Sequence, residues 1–247
     1  MKQKLTTRAK VFSSLAVLAM LSGPALSPTL VLAKSASEKS VGFVEKAREH
    51  FNKADWRSAS IELKNALQAD ADNIDARILL GDVYLKTYNG PSAEKEFRAA
   101  IKRGASKKDM LIRLGQAYEL QRKYNEVLTE VKPEVVPEKD AGQALLLRGN
   151  AYLGLKDVDN AVASYQEAQA KSPENPDVYS GLSRVYLLNR EQDKALESVD
   201  KALKLDPRNL DALMIRAEVS RIKSDFDEAL TYLSAAVEVS PDYMPAL

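Results

Sequence analysis

Three glycines of this sequence stand 34 residues apart, and each is followed three residues later by a tyrosine. The glycines are Gly81, Gly115 and Gly149, and one further period leads to Ser183, which again precedes a tyrosine by three residues. The register extends in both directions without an insertion and divides the chain into six repeats, 40–73, 74–107, 108–141, 142–175, 176–209 and 210–243. A unit of this length buries its apolar surface only against neighbouring units, so the period requires a repeat fold.

Each repeat carries the pattern of two amphipathic helices. Position 8 of the repeat is always small, and its residues are Ala47, Gly81, Gly115, Gly149, Ser183 and Ala217. Position 11 is usually tyrosine, and positions 20 and 27 are usually alanine. Small side chains let the second helix lie close against the first, and Pro173, Pro207 and Pro241 follow second helices where a proline ends a helix. The pattern predicts an all-α protein, a right-handed α-solenoid of six helix-turn-helix repeats.

The third repeat departs from this pattern in its second half, which reads YNEVLTEVKPEVVPEKD. Glu134 stands where the other repeats have alanine, and Pro133 and Pro137 are both unsuited to a helix interior. We expect a shortened or bent second helix here, and with it a flexible point between repeats one to three and four to six.

The first 33 residues differ from all that follow. A basic segment precedes the apolar run Val11–Leu21, and small residues come after it. This order is typical of a secretory signal peptide, since about 11 apolar residues are too few for a membrane span, which needs about 20. We expect cleavage after Ala33, with Ala25 as the alternative, a short linker over 34–39, and an exported, periplasmic protein that has no membrane span after cleavage.

Charge and cysteine content exclude several classes of function. Without the first 33 residues the chain has 32 basic and 35 acidic residues, a net charge of −3. Nucleic-acid binding needs clustered positive charge, whereas bases and acids alternate here, so no nucleic-acid partner is expected. The absence of cysteine excludes disulfides, thiolate metal sites, a cysteine nucleophile and a lipid anchor attached through cysteine.

No catalytic constellation is visible in the sequence. The one histidine, His50, occupies position 11, where four other repeats have tyrosine, so we interpret it as a packing residue. Trp56 aligns with Tyr124 and Phe226 at position 17 and is interpreted in the same way. The chain has no glycine-rich phosphate loop and no metal-ligand spacing. We therefore expect a non-enzymatic protein without metal or cofactor.

Small, tyrosine, alanine and proline residues at these positions resemble the tetratricopeptide repeat, from residue 40 to residue 243. The resemblance implies that the protein binds other proteins, because in this family positions 2, 5, 9 and 12 of the first helices line a concave face. Some members bind a C-terminal carboxylate through lysine at position 5 and asparagine at position 9. Here position 5 has no lysine and only Asn150 matches at position 9, so that activity is not implied.

The family's concave positions define a candidate peptide-binding groove. Position 5 supplies an apolar stripe of Val44, Ile78, Ile112, Leu146 and Met214, interrupted by Ser180. Position 9 supplies Arg48, Asp82, Gln116, Asn150 and Arg184, and position 2 supplies Asp75, Asp109 and Asp177. An apolar floor with a partly acidic rim suits an extended peptide or an amphipathic helix. The alternative is that the stripe packs against neighbouring first helices.

Four segments indicate a narrower resemblance. They are SIELKNALQAD, LLGDVYL, PSAEKEFRAAIKRGA and KYNEVLTEV, which lie between residues 60 and 131. These segments are similar to the exported repeat proteins of exosortase/PEP-CTERM sorting systems (PrsT type) of Gram-negative bacteria. The resemblance implies a scaffold for envelope protein sorting or exopolysaccharide export. Two alternatives stay open, the N-terminal recognition arm of a longer envelope enzyme and an outer-membrane or secretion assembly factor.

The last four residues, MPAL at 244–247, occupy positions 1 to 4 of an incomplete seventh repeat. A terminal repeat normally needs a polar cap for solubility. We expect the outer face of repeat six, including Leu213, Ala217, Leu230 and Leu233, to self-associate or to be covered in a longer form of the protein.

Overall fold

The structure is a computed structural model that describes residues 28–240, with side chains from residue 36 onward. All regular secondary structure in this range is helical, which confirms the predicted all-α repeat fold. The helices are α1 (Pro28–Asn52), α2 (Trp56–Ala69), α3 (Ile74–Lys86), α4 (Gly90–Lys102), α5 (Lys107–Leu120), α6 (Tyr124–Glu130), α7 (Ala141–Gly154), α8 (Val158–Lys171), α9 (Pro176–Leu188), α10 (Gln192–Leu205), α11 (Leu210–Ile222) and α12 (Phe226–Val239). Residues 1–27 of the predicted signal peptide and the predicted start of a seventh repeat lie outside the described residues.

The helices pack as pairs, and each pair packs on the next. Odd-numbered helices contact one another in succession from α1 to α11. Within the described part of the chain, consecutive even-numbered helices show no comparable contact. The first helices therefore crowd together and the second helices spread apart, so the array curves with its first helices on the concave side.

The side chain at position 24 of each repeat lies at the centre of this packing. In repeats one to five these side chains are fully buried, and they are Leu63, Phe97, Val131, Tyr165 and Val199. The small residue at position 8 provides the space for them. A Cβ placed on Gly81 would lie 2.4 Å from Phe97, and one placed on Gly149 would lie 2.5 Å from Tyr165. The predicted close approach of the two helices at position 8 is thus confirmed at both glycines.

The turn between the two helices has the same geometry in all six repeats. The residue at position 15 has a left-handed backbone with φ between 55° and 63°, and the six residues are Ala54, Tyr88, Arg122, Lys156, Arg190 and Ser224. The N–H at position 16 then donates to the carbonyl at position 11, over 3.0 Å in repeat one and 2.8 Å in repeat two. This is the Schellman closure of a helix, which glycine normally completes. A residue with a Cβ in this conformation costs about 1 kcal/mol, so the repeated turn is maintained by packing rather than by glycine.

Side-chain caps fix where most of the helices begin. Asn73 and Asn209 each accept a backbone N–H at the start of a first helix, and Asp55, Asn89 and Asp157 do so at the start of second helices. Each such cap contributes about 1 kcal/mol. Helix α6 has no side-chain cap, because Lys123 stands at the capping position.

Helix α6 is short, as the sequence predicts. It ends at Glu130 after seven residues, since proline at 133 cannot continue a helix. Val131 and Val136 of the following loop are buried in the same core as residues of α7, so the loop replaces the missing turns of helix. Arg148 of α7 donates to the carbonyl of Leu128 over 2.8 Å and satisfies the end of the shortened helix.

The N-terminal boundary differs from the prediction. Residues 34–39, assigned to a linker by the sequence analysis, are part of α1. The segment from Pro28 to Val41 contains neither glycine nor an internal proline, so nothing in it ends a helix.

Repeat six exposes an apolar face on α12. Its residues are Phe226, Leu230, Leu233 and Val237, which are 67%, 64%, 40% and 52% exposed. Leu230 and Leu233 are exposed as expected, whereas the inclusion of Leu213 and Ala217 in this face was wrong, because both are buried. Position 8 of a first helix faces the second helix of the same repeat, as Gly81 and Gly149 show.

The apolar face of α12 predicts self-association. The wild-type protein should sediment as a concentration-dependent mixture of monomer and larger species, because exposed apolar area is the main driving force for association. The double variant Leu230→Lys/Val237→Lys should sediment as a monomer. Analytical ultracentrifugation with Ile61→Lys, which changes an exposed apolar residue of α2, provides the control. A wild-type protein that stays monomeric at high concentration would contradict the prediction.

Glu94 joins α4 to the turn between α5 and α6. Its carboxylate accepts from Lys123 over 2.7 Å, from Arg98 over 2.9 Å and from Gln121 over 2.9 Å. Burial raises the pKa of Glu94, but the bonds from Lys123, Arg98 and Gln121 outweigh it and lower the pKa from 4.5 to about 2. The ionised form of Glu94 therefore stabilises the fold.

Replacing Glu94 should destabilise the protein in a pH-dependent way. Because the folded pKa lies below the unfolded one, the contribution is complete above about pH 5 and is lost as the pH falls toward 2. We expect Glu94→Gln to lower the free energy of unfolding by about 2 kcal/mol at pH 7 and by much less at pH 3. Urea unfolding at both pH values measures this, with exposed Glu126→Gln as the control. An equal loss at both pH values would show that shape, not charge, stabilises this contact.

Candidate functional site

A depression of about 960 Å³ lies on the concave side of repeats one to three. It is lined by Phe51, Asp82, Leu85, Lys86, Tyr88, Asp109, Ile112, Arg113, Gln116, Glu119, Leu120, Lys139 and Asp140. Most of these residues project from α3 and α5, and the last two precede α7. The depression therefore crosses successive repeats, as a surface for an extended segment would.

Four of the predicted groove residues line this depression together. They are Asp109, Ile112, Asp82 and Gln116, from positions 2, 5, 9 and 9 of their repeats. Ile112 is half-buried and provides part of the apolar floor.

The remaining predicted groove residues lie elsewhere. Val44 and Leu146 are 5% and 3% exposed and belong to hydrophobic cores between repeats. They match the alternative interpretation of the stripe, in which its residues pack against neighbouring helices instead of lining a groove. Ile78 and Met214 are half-buried. The first-helix stripe is consequently not a continuous apolar floor.

Two predicted polar residues, Arg48 and Asp75, are exposed outside the depression. Three others take part in hydrogen bonds between repeats. Arg184 donates to Asp211 over 3.1 Å, and Asp177 accepts from Asn209 over 2.7 Å. Asn150 donates to Glu119 over 2.6 Å. These contacts hold neighbouring first helices in register on the concave side.

Several residues of the depression lie outside the predicted groove. Phe51, Leu85 and Glu119 all occupy position 12, the fourth concave position of the family, so reading that column would have found them. Tyr88 lies in the left-handed turn, 80% exposed, and no repeat column predicts it.

Asp82 is a paired carboxylate in the wall of the depression. It accepts from Arg113 Nε over 2.8 Å. Burial raises the pKa of Asp82, while the bond and charge of Arg113 act in the opposite direction. The pair holds α5 against α3, and the carboxylate of Asp82 neutralises the positive charge of Arg113.

Glu119 has a different environment. Its carboxylate accepts a hydrogen bond from the side-chain amide of Asn150, whose oxygen in turn accepts from the hydroxyl of Tyr165 over 2.6 Å. Burial is the main cause that raises the pKa of Glu119, and the nearby charges of Asp211 and Asp177 add to it. The bond from Asn150 and the nearby charge of Arg184 act in the opposite direction. No lysine, arginine or histidine nitrogen of the described residues forms an ion pair with this carboxylate.

His50 and Trp56 have structural contacts. His50 Nδ1 lies 3.2 Å from Asp55 Oδ2 at the turn of repeat one, and Trp56 packs edge-on against Phe51 with ring centroids 5.1 Å apart. Among residues 36–240 no group of three acidic, histidine or cysteine side chains is arranged to hold a metal ion. The helices that the structure describes include none with both the length and the hydropathy of a membrane span.

Comparison with known proteins agrees with this architecture. Residues 152–219 match the family model of the tetratricopeptide repeat. The match spans all of repeat five and parts of repeats four and six. No curated protein sequence gives a significant match.

Solved structures share the fold of these repeats. PilF of Pseudomonas aeruginosa aligns with a TM-score of 0.60 and 17% identity over 85% of this chain and 95% of PilF. PilW, described as a widely conserved type IV pilus biogenesis factor, aligns with a TM-score of 0.60 and 18% identity over 83% of this chain and 94% of PilW. A tetratricopeptide repeat protein from Parabacteroides merdae aligns with a TM-score of 0.68 and 13% identity over 85% of this chain and 94% of that protein. At these identities the similarity establishes the fold alone.

The unpaired charge of Glu119 predicts that its removal stabilises the protein. A carboxyl with a raised folded pKa disfavours the folded state above that pKa, and the cost disappears as the pH falls below it. We expect Glu119→Gln to raise the free energy of unfolding by about 1 kcal/mol at pH 7 and to leave it unchanged at pH 4. Urea titration at the two pH values measures this. A loss of stability at pH 7 would mean that the bond from Asn150 outweighs the desolvation of the charge.

Proposed function

We propose that the protein is an exported, non-catalytic scaffold that binds segments of partner proteins in the depression on its concave side. The observation that carries this proposal is the depression itself, where Ile112, Leu120 and Tyr88 place apolar surface beside charged groups across successive repeats. Apolar contact gives affinity to such a groove, and polar groups at fixed spacing give register. Tetratricopeptide repeats are generally scaffolds for protein interaction, which agrees with this proposal.

We further propose that the scaffold acts in the periplasm, in envelope protein sorting or exopolysaccharide export. The signal-peptide pattern of residues 1–33 supports export, and the similarity to PEP-CTERM-system repeat proteins supports the pathway. An outer-membrane or secretion assembly factor is a second candidate, since PilW is named as a pilus biogenesis factor and has the same fold. The recognition arm of a longer envelope enzyme is the third.

Site-specific photo-crosslinking tests the scaffold in its own cell. A benzoylphenylalanine at position 88, in place of the exposed Tyr88, should form adducts with one or a few periplasmic proteins. The same residue at position 61, in place of Ile61 on α2, should not, although Ile61 is 51% exposed. Leu120→Asp should abolish the adducts at position 88, because a charge in the apolar wall weakens binding without entering the core.

Two results would contradict the proposal. One is equal crosslinking at positions 88 and 61, which would show non-specific contact. The other is crosslinking at position 88 that persists in the Leu120→Asp variant, which would place the partner outside the depression. Circular dichroism melting of each variant verifies that it is folded.

A further inference from the structure

The charges around the depression are not balanced at its floor. Four acidic and three basic side chains line it, but Arg113 is bound to Asp82. Lys86 and Lys139 are both exposed, whereas Glu119 is half-buried. Apart from the Asp82–Arg113 pair, the half-buried charged side chains of the lining are the acids Glu119 and Asp140.

Two other glutamates of the array have the basic partners that Glu119 lacks. Glu94 is bound by Arg98 and Lys123, and Glu96 is bound by Arg77 over 2.8 Å. A part-buried carboxylate is ordinarily compensated in this way, because desolvation of its charge is costly. Glu119 is instead bound by the neutral amide of Asn150, which carries no compensating charge.

The position of Glu119 is fixed by the fold. Tyr165 is fully buried, its hydroxyl donates to Asn150, and Asn150 donates to Glu119, so the carboxylate is tied to a core side chain of repeat four. A group oriented before binding loses little entropy when a ligand arrives. The hydrogen bond from Asn150 is made to one carboxylate oxygen, Oε1, and Glu119 also lines the depression.

Apolar groups line the same depression as this carboxylate. Leu120 of α5 is 39% exposed, and Tyr88 in the turn between α3 and α4 is 80% exposed. An exposed tyrosine in a left-handed conformation makes no contribution to the core that would explain its presence. A depression that contains both an aromatic ring and a carboxylate is a suitable surface for the aliphatic stem and charged head of a basic side chain.

We propose that the depression selects polypeptide segments in which a lysine or arginine is flanked by apolar side chains, with the cation bound by Glu119 and the apolar groups packed on Tyr88 and Leu120. Asp109, which lines the same depression, adds attraction for the cation. An acidic segment is disfavoured, because it would bring a second negative charge to Glu119. This proposal rests on the proposed function and specifies the chemistry of the bound partner.

Selection from a random library of 12-residue peptides displayed on phage tests the proposal with the whole exported chain as the target. Peptides that bind the wild type should be enriched in lysine or arginine next to leucine, isoleucine or aromatic residues. The best peptide is then synthesised with its basic residue intact and with glutamine in its place. Fluorescence anisotropy should show about tenfold weaker binding of the glutamine peptide to the wild type.

The paired protein variant separates charge recognition from general binding. In Glu119→Gln the two peptides should bind equally, whereas in Glu126→Gln, an exposed acid outside the depression, the tenfold difference should remain. Selected peptides without basic residues, or a tenfold difference that survives in Glu119→Gln, would overturn the proposal. In that case binding that is still lost in Leu120→Asp leaves the scaffold function in place. Failure to select any peptide would contradict both proposals.

Discussion

The structure depends on one repeated contact, in which the side chain at position 24 fills the space over a small residue at position 8, as it does in repeats two, three and four. Phe97 over Gly81 and Tyr165 over Gly149 are the tightest examples. Tyr165 also lies against Gly181 of the following repeat, so the same side chain packs within its own repeat and against the next one. Because each contact involves only neighbours, stability is close to a sum of local terms, and the curvature that creates the concave side repeats with them.

The fold could be predicted because this contact leaves a visible sequence pattern. Small residues at position 8 and alanines at positions 20 and 27 are required by close helix packing, and prolines at 133 and 137 gave the short α6 directly. The pattern could not predict which side chains take the place of the helical turns that α6 lacks. Val131 and Val136 enter the core from a loop, and their role follows from the three-dimensional course of that loop.

The candidate site could be predicted only in part, for a physical reason. Repeat columns identify which helix face is concave, but burial within a column varies with the size of the neighbours. Leu146 and Ile112 share position 5, yet Leu146 lies in the core and Ile112 faces the depression. Charge pairing is still less visible, since the bond of Asp82 to Arg113 and the lack of a cation at Glu119 depend on side chains of different columns.

The two ends of the described array differ in a way that restricts how copies could associate. Positions 6 and 10 of a first helix face the preceding repeat and are apolar in most repeats, as Leu147 and Ala151 show. Repeat one has exposed Glu45 and Glu49 there. Stacking this face on α12 of a second copy would bury two carboxylates against apolar residues such as Leu233, at a cost that contact area does not offset. If copies associate through α12, we therefore expect symmetric association between like faces, which closes at a dimer instead of extending into a filament.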